Sequence, residues 1–274
     1  MDVIVINLAA ATERMAFQKA QLDALGLPHE RLAAIDAESA PGMKPDAYWN
    51  TWERPLKNVE KACLMSHRAA WAKVAASGKP ALVLEDDAVL SVKAPALLDE
   101  LARTKGIDLL TLEVRGRKKL VARDKSGSLA KLPIRRLYQD RTGAAAYVLW
   151  PSGAAKLLKR TEDKAGLADA VICVAYELQA YQADPALALQ LDRCARYGIP
   201  EPIATRSSID APKPPLAPAG GSGASPPLAF RIRRIWAQVR MGLRQLAKAP
   251  VAVRRDIVLD PADFDFLKTL RRGS

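Results

Sequence analysis

A chain of 274 residues with 49% apolar and 26% charged residues holds one large domain or two modest ones, and its composition is globular rather than disordered. The three cysteines, Cys63, Cys173 and Cys194, form no C-x-x-C pair, and His29 and His67 are the two histidines, which argues against a disulfide framework, a zinc–thiolate cluster and a multi-histidine metal centre. The formal net charge is +12, and 13 basic and 5 acidic residues lie from Arg206 onward, so most of the basic excess belongs to the last quarter of the chain.

In chain order, Asp2-Val3-Ile4-Val5-Ile6 is a strand by its β-branched content. Its start carries no basic segment followed by a long apolar one, so a signal peptide is not expected, and no stretch is long enough for a transmembrane helix. Thr12 is positioned to cap a helix running to about Leu25, with Gly26 as its stop. Leu32–Asp36 reads as a second strand and Ala40–Pro55 as a loop. A helix is expected over Asn58–Ser77, a strand over Ala81–Leu84, a helix over Ala94–Thr104 and a strand over Asp108–Val114. A basic turn at Arg115–Lys119 and a hairpin over Leu120–Leu132 come next, then a strand at Ala144–Leu149 and a helix at Ser152–Arg160. The alternation of strands and helices predicts an α/β fold.

The strand at Ala81–Leu84 runs into Glu85-Asp86-Asp87. Three adjacent carboxylates repel one another and are costly to desolvate, and a divalent cation offsets that cost. Hard cations take oxygen ligands, and ligands of open α/β sheets bind outside the carboxyl ends of the strands. The competing reading is a solvated acidic turn.

Beside this run stand Ile6-Asn7-Leu8 with Glu13-Arg14, then Glu60-Lys61-Ala62-Cys63-Leu64-Met65-Ser66-His67, and then Gly143-Ala144-Ala145-Ala146-Tyr147. In this order the set resembles the family 25 glycosyltransferases of lipooligosaccharide and lipopolysaccharide synthesis, over roughly Met1 to Gln190. The block from E-x-x-C-x-x-S-H to E-D-D is its specific part. The resemblance implies a GT-A-like, Rossmann-type domain that transfers a hexose, most often galactose, from a UDP-sugar with inversion. It makes Glu85-Asp86-Asp87 the counterpart of a D-x-D motif, with Asp87 and Glu85 as ligands of Mn²⁺ or Mg²⁺ and Asp86 directed to ribose or sugar. A bound cation stabilises the charge that develops on the leaving UDP.

Asn7 and Arg14 follow the first strand, where a nucleotide sits in a Rossmann-like sheet, and Arg14 is a candidate donor to the diphosphate. The alternative is a turn-forming Asn7 and a solvated Arg14. Ser66 and His67 are candidates to line the donor or acceptor site. A serine-hydrolase arrangement is rejected, because adjacent residues project in different directions on a helix and no nucleophile elbow surrounds Ser66. A histidine hydrogen-bonded inside the fold is the other reading of His67, and Cys63 reads as a small buried apolar residue. Inversion requires a general base, and Glu113 and Asp169 are both candidates.

From Ser207 the texture changes. A Pro/Gly-rich stretch, 206–227, reads as a linker between a catalytic domain over 1–205 and a basic helical tail over 228–274. In the tail Leu228, Ile232, Ile235, Trp236, Val239, Leu243 and Leu246 recur at helical spacing among six basic residues. Such a helix either lies on an anionic membrane or packs its apolar stripe on the domain; a nucleic-acid role has no motif to support it. The expectation is a cytoplasmic enzyme, peripheral on the inner membrane, acting on a cell-envelope glycolipid. The rivals are a catalytically inactive binding protein of the same fold and another metal-dependent nucleotide-sugar enzyme; Asn7–Met15 lacks the glycines a phosphate-binding loop would use.

Overall fold

The computed structural model describes residues 1–124, 128–129, 132–140, 143–203 and 228–270; the expected linker lies outside them. The strands are β1 (Asp2–Asn7), β2 (His29–Ala33), β3 (Ala81–Glu85), β4 (Ala88–Leu90), β5 (Leu109–Thr111), β6 (Lys119–Ala122), β7 (Ser128–Leu129), β8 (Leu132–Gln139), β9 (Ala146–Leu149), β10 (Ala180–Ala183), β11 (Ala188–Gln190) and β12 (Ala252–Arg255). The helices are α1 (Thr12–Ala24), α2 (Asp46–Trp49), α3 (Asn58–Ser77), α4 (Ala94–Leu101), α5 (Pro151–Arg160), α6 (Ala168–Cys173), α7 (Leu228–Lys248) and α8 (Leu267–Leu270).

Ten strands form one mixed sheet in the order β12-β6-β8-β10-β5-β9-β3-β1-β2, with β7 on β8. Strands β2, β1 and β3 are parallel neighbours, the Rossmann-like part of the sheet. Antiparallel β9 then lies between β3 and β5. A separate two-stranded pair joins β4 to β11.

Side-chain alternation along the strands explains the two-faced core. Val3, Val5, Leu82, Leu84 and Val148 pack with Leu22 of α1 and Leu97, Leu98 and Leu101 of α4. Ile4, Ile6, Val83, Tyr147 and Leu149 point the other way, against Leu64, Trp71 and Val74 of α3 and Leu157 of α5. Because both faces are covered, the central strands read as continuous apolar runs.

The structure differs from the sequence-based expectation at several points. Ala11, not Thr12, is the cap residue of α1, and no side chain caps it; Gly26 ends the segment at φ +66° as expected. Strand β2 begins at His29, upstream of the expected start, because the parallel register with β1 pairs Val3 with His29 and Asn7 with Ala33. The expected loop at Ala40–Pro55 contains a 3₁₀ turn at Ala40–Met43 and α2, whose Tyr48 and Trp49 are buried. Helix α4 ends at Leu101 rather than Thr104.

The segment 228–270 is not a uniform helical tail. After α7 the chain adds β12 to the edge of the main sheet, antiparallel to β6. Ile257, Phe264 and Leu267 are then buried with Phe17, Val89 and Leu189 in a third apolar cluster. Helix α7 itself buries no residue, and Ile232, Ile235, Trp236, Val239, Leu243 and Leu246 face outward while Phe230 and Met241 are half-buried. The reading in which that stripe packs on the domain is therefore corrected.

Candidate functional site

The acidic run sits at the carboxyl edge of the sheet. Glu85 ends β3, Asp86-Asp87 make the turn, and Ala88 begins β4. The turn is held from beneath by α1. Gln18 Nε2 donates to the Asp86 carbonyl at 3.1 Å and to the Ala88 carbonyl at 2.7 Å. Gln21 Oε1 accepts from Leu90 N at 2.8 Å. Both glutamines are fully buried. Sequence reading missed them, although two amides one helical turn apart on a buried face are themselves a signal, since buried amides require partners.

Asn7, Arg14 and Asp86 form one network. Asn7 Nδ2 donates to Asp86 Oδ2 at 2.9 Å, and Arg14 Nη1 lies 3.1 Å from Asp86 Oδ1. Arg31 in turn donates to the Asn7 side-chain oxygen at 2.8 Å and to its carbonyl at 3.1 Å. Burial pushes the Asp86 carboxyl above its ordinary value, against the pull of Asn7 and Arg14. Both oxygens of the middle acid are thus engaged by residues of the β1–α1 region, and the two flanking acids are left for other work.

Glu85 is oriented from α3. Trp71 Nε1 donates to the Tyr147 hydroxyl at 2.9 Å, and that hydroxyl lies 2.9 Å from His67 Nδ1. An indole N–H only donates, so the Tyr147 oxygen accepts from Trp71 and its O–H donates to His67 Nδ1. His67 then carries its hydrogen on Nε2 and gives it to Glu85 Oε1, 3.0 Å away. Burial raises the Glu85 carboxyl, but the hydrogen bond from His67, with the charges of Arg115 and Arg14, outweighs it and leaves it below the ordinary value.

Ser66 is placed differently from His67. Its hydroxyl donates to the Ala62 carbonyl and accepts from Ile35 N, each at 2.8 Å. It ties α3 to the chain after β2 and does not face the acids. Glu60 pairs with Arg54 through both oxygens and accepts from Lys57 N at 2.8 Å, which anchors the start of α3. Cys63 is exposed, contrary to the buried residue expected, and its sulfur lies within 4.8 Å of ligand atoms of His67 and Glu85.

Three oxygens at the acidic edge are buried with no hydrogen-bond partner: Asp87 Oδ1, Glu113 Oε1 and Gln190 Oε1. Gln190, at the end of β11, donates weakly to both Glu85 Oε2 at 3.4 Å and Asp87 Oδ2 at 3.3 Å. Burial pushes Asp87 well up, reinforced by the charges of Glu85, Asp86 and Glu113. Burial likewise pushes Glu113 to about 7, with Lys119 opposing it and Glu85 adding to it. Unsatisfied oxygens and crowded carboxylates are what a hard divalent cation relieves, and an all-oxygen set suits Mg²⁺ or Mn²⁺. Glu85 and Asp87, bridged by Gln190, are the acids that suit such an ion, with Glu113 behind them; the ligand atoms that lie within 4.8 Å of one another among the described residues are those of Cys63, His67 and Glu85. Gln190 was absent from the sequence-based candidates, because the β4–β11 pairing that delivers it links residues 88 and 190.

The two candidate bases occupy unlike places. Glu113 is 1% exposed, and its Oε2 accepts from Ala145 N at 3.0 Å. Gly143, at φ +124°, closes over it; a Cβ there would lie 3.0 Å from Glu113 Oε2. Asp169 stands half-buried at the start of α6, within the electrostatic reach of Glu85, Arg115 and His67, and burial raises its carboxyl.

The family model described as glycosyltransferase family 25 (LPS biosynthesis protein) matches residues 1–172. The chain belongs to glycosyltransferase family 25. Its relatives include the lacto-N-neotetraose biosynthesis glycosyltransferase LgtB of Neisseria gonorrhoeae, 37% identical over 106 residues, which are 35% of this chain and 36% of that protein. LgtE of the same organism is 30% identical over 161 residues, 53% of this chain and 55% of that protein. LgtB of Neisseria meningitidis serogroup B is 38% identical over 109 residues, 35% of this chain and 36% of its own length. The chain thus matches between about a third and a half of the length of these relatives. The family 25 region contains Asn7, Arg14, His67, Glu85, Asp87, Glu113 and Asp169, while Gln190 and α7 lie beyond it.

Proposed function

We propose that this protein is a metal-dependent glycosyltransferase that moves a hexose, galactose by preference, from a UDP-sugar to a saccharide of a cell-envelope glycolipid, with inversion. Family membership gives the reaction class its support. The observation that carries the metal-dependent reading is the set of buried oxygens of Asp87 and Gln190 that accept no hydrogen bond beside Glu85, with Glu113 Oε1, which likewise accepts none and lies 3.8 Å from Arg115 Nε.

Glu85 and Asp87, with Gln190 and Glu113 beside them, would hold Mn²⁺ or Mg²⁺, and the ion would neutralise charge on the departing diphosphate. His67 keeps Glu85 ionised and fixed in direction, while Asn7 and Arg14 hold the turn through Asp86. Asp169 is the general base in this reading, because it is the accessible acid of the two and its raised carboxyl suits proton uptake. The acceptor oxygen forms a bond to the anomeric carbon as the bond from that carbon to the UDP oxygen breaks. The acceptor proton passes to Asp169, and UDP leaves with the electron pair. The donor implies work on the cytoplasmic side of the cell envelope.

The test is titration of UDP and a panel of UDP-sugars into the protein, with Mn²⁺ and with chelator. Metal-dependent UDP binding, tightest for one UDP-hexose, is expected. Absence of UDP binding under both conditions would overturn the reading in favour of an inactive scaffold of the same fold.

A further inference from the structure

Helix α7 is docked through four of its six basic residues, while Arg231 and Arg234 are exposed. Arg244 Nε donates to the Tyr138 carbonyl at 3.2 Å, and its guanidinium lies 4.8 Å from the centre of the Tyr176 ring. Arg240 also faces Tyr176, and Lys248 faces Tyr138. At the other end Arg233 donates to the carbonyls of Asn50 and Trp52. At 100° per residue Arg244 and Lys248 lie away from the apolar stripe, while Arg233 and Arg240 lie along its border beside Trp236 and Leu243. Ile232, Ile235, Trp236, Val239, Leu243 and Leu246 are therefore turned outward, from 45% exposed at Val239 to 73% at Leu246. From Ile232 to Leu246 the stripe is about 21 Å long. A continuous apolar face of that size on a soluble surface marks an interaction site, whereas scattered single residues would not.

Charge identifies the occupant. Helix α7 carries six basic residues and no acid. Beside it a groove of about 460 Å³ is walled by Arg160, Lys164, Arg233 and Arg240, with Trp236 and Leu243 shared between groove and stripe; Glu53 is its one acidic wall. An apolar face bordered by a cationic groove matches acyl chains beneath anionic headgroups, the geometry of an interfacial helix. Among the described residues no helix is long and apolar enough to cross a membrane. We infer that α7 and its groove seat the protein in the interface of an anionic bilayer, with the apolar stripe among the acyl chains and a lipid phosphate against the groove.

The helix rests on Tyr176, just past α6, which carries Asp169. The surface would thus bring the proposed base to the membrane where a glycolipid acceptor lies. That last link rests on the glycosyltransferase reading; lipid binding itself does not.

The experiment is vesicle co-sedimentation of the full chain with phosphatidylcholine alone and with added phosphatidylglycerol, together with Trp236 fluorescence. Binding that prefers the anionic vesicles, with a blue shift lost in Trp236→Phe, is expected. Ile235→Glu and Leu243→Glu, both at exposed positions, should each lower partitioning about tenfold or more, and Lys164→Glu about fivefold. Inorganic phosphate at millimolar level should not displace the protein if the lipid is the ligand. No binding to either vesicle, or binding undiminished by the two glutamates, overturns the inference. Self-association abolished by the same glutamates, without vesicle binding, also overturns it and assigns the stripe to a second copy. Displacement by phosphate alone reduces the groove to a free-anion site and overturns the lipid assignment. UDP titration on the same samples separates these outcomes from failure of the donor site.

Discussion

His67 Nε2 stands 3.0 Å from Glu85 Oε1, and behind it Tyr147 and Trp71 fix the direction of that bond. The aim of the first acid in the run is therefore set from a helix 18 residues upstream and a strand on its other side. Tyr147→Phe removes the hydroxyl that both Trp71 and His67 use, leaving two buried groups unpaired. The expected loss of stability is about 1–3 kcal/mol per group, read by denaturant unfolding. His67→Gln, which retains an N–H near Glu85, should bind Mn²⁺ more tightly than His67→Ala; equal affinities would show that the histidine does not orient the acid.

The three acids should separate by function. Asp87→Asn is expected to abolish metal-dependent UDP binding while leaving the fold intact, because its Oδ1 has no protein partner to lose. Asp86→Ala should instead destabilise the protein by about 1–3 kcal/mol, since Asn7 and Arg14 each lose a hydrogen bond to its carboxylate. Unfolding curves and calorimetric UDP titration on the two variants check this. The same phenotype in both would contradict the division of labour.

Cation affinity should depend on pH through Glu113. Its carboxyl is raised from 4.5 to about 7 in the folded protein, so between those values the folded chain holds a proton that the unfolded chain has lost. In chelator this group's contribution to stability is fully present below pH 4.5, declines as pH rises, and is lost above about 7, a change of about 3 kcal/mol. Cation binding requires the ionised form and so strengthens over the same window. Glu113→Gln should raise stability in chelator at pH 8 and flatten the pH dependence of Mn²⁺ binding. Unchanged slopes by calorimetry would remove Glu113 from the cation site.

Asp169→Asn should lower kcat by about 10²–10⁴ and leave UDP affinity unchanged, since a general base acts on the acceptor proton and not on the donor. Steady-state rates beside UDP titration make the comparison. A variant with full kcat would return the base assignment to Glu113 or to another group.

Gly143→Ala tests the roof over Glu113. The residue sits at φ +124°, and the added methyl would come within 3.0 Å of Glu113 Oε2. Strain in a backbone region reserved for glycine and a displaced carboxylate should together cost about 1–3 kcal/mol and weaken Mn²⁺ binding. Wild-type stability and affinity would mean that the loop yields freely.

The sequence by itself determined the parts whose physics is local. Strand β1 and the acid-terminated β3 follow from β-branched and aliphatic runs, and α3 from an apolar face ended by Gly78. The acidic run and the segment bearing His67 were legible because adjacent like charges and a histidine among apolar residues are unusual in one dimension. Pairing across long separations was not legible. Which acid binds Arg14, which meets His67, and the arrival of Gln190 beside residues a hundred positions earlier depend on strand order and the turn after β3. Ser66 and His67 are neighbours in sequence yet face different surroundings, because a helix turns successive side chains about 100° apart. The orientation of α7 was likewise beyond the pattern. Periodicity defines an apolar face and a basic face, but the partners of each are supplied by Tyr138, Tyr176 and the carbonyls of Asn50 and Trp52. Only the assembled surface decided that Arg233, Arg244 and Lys248 turn inward and the apolar stripe outward.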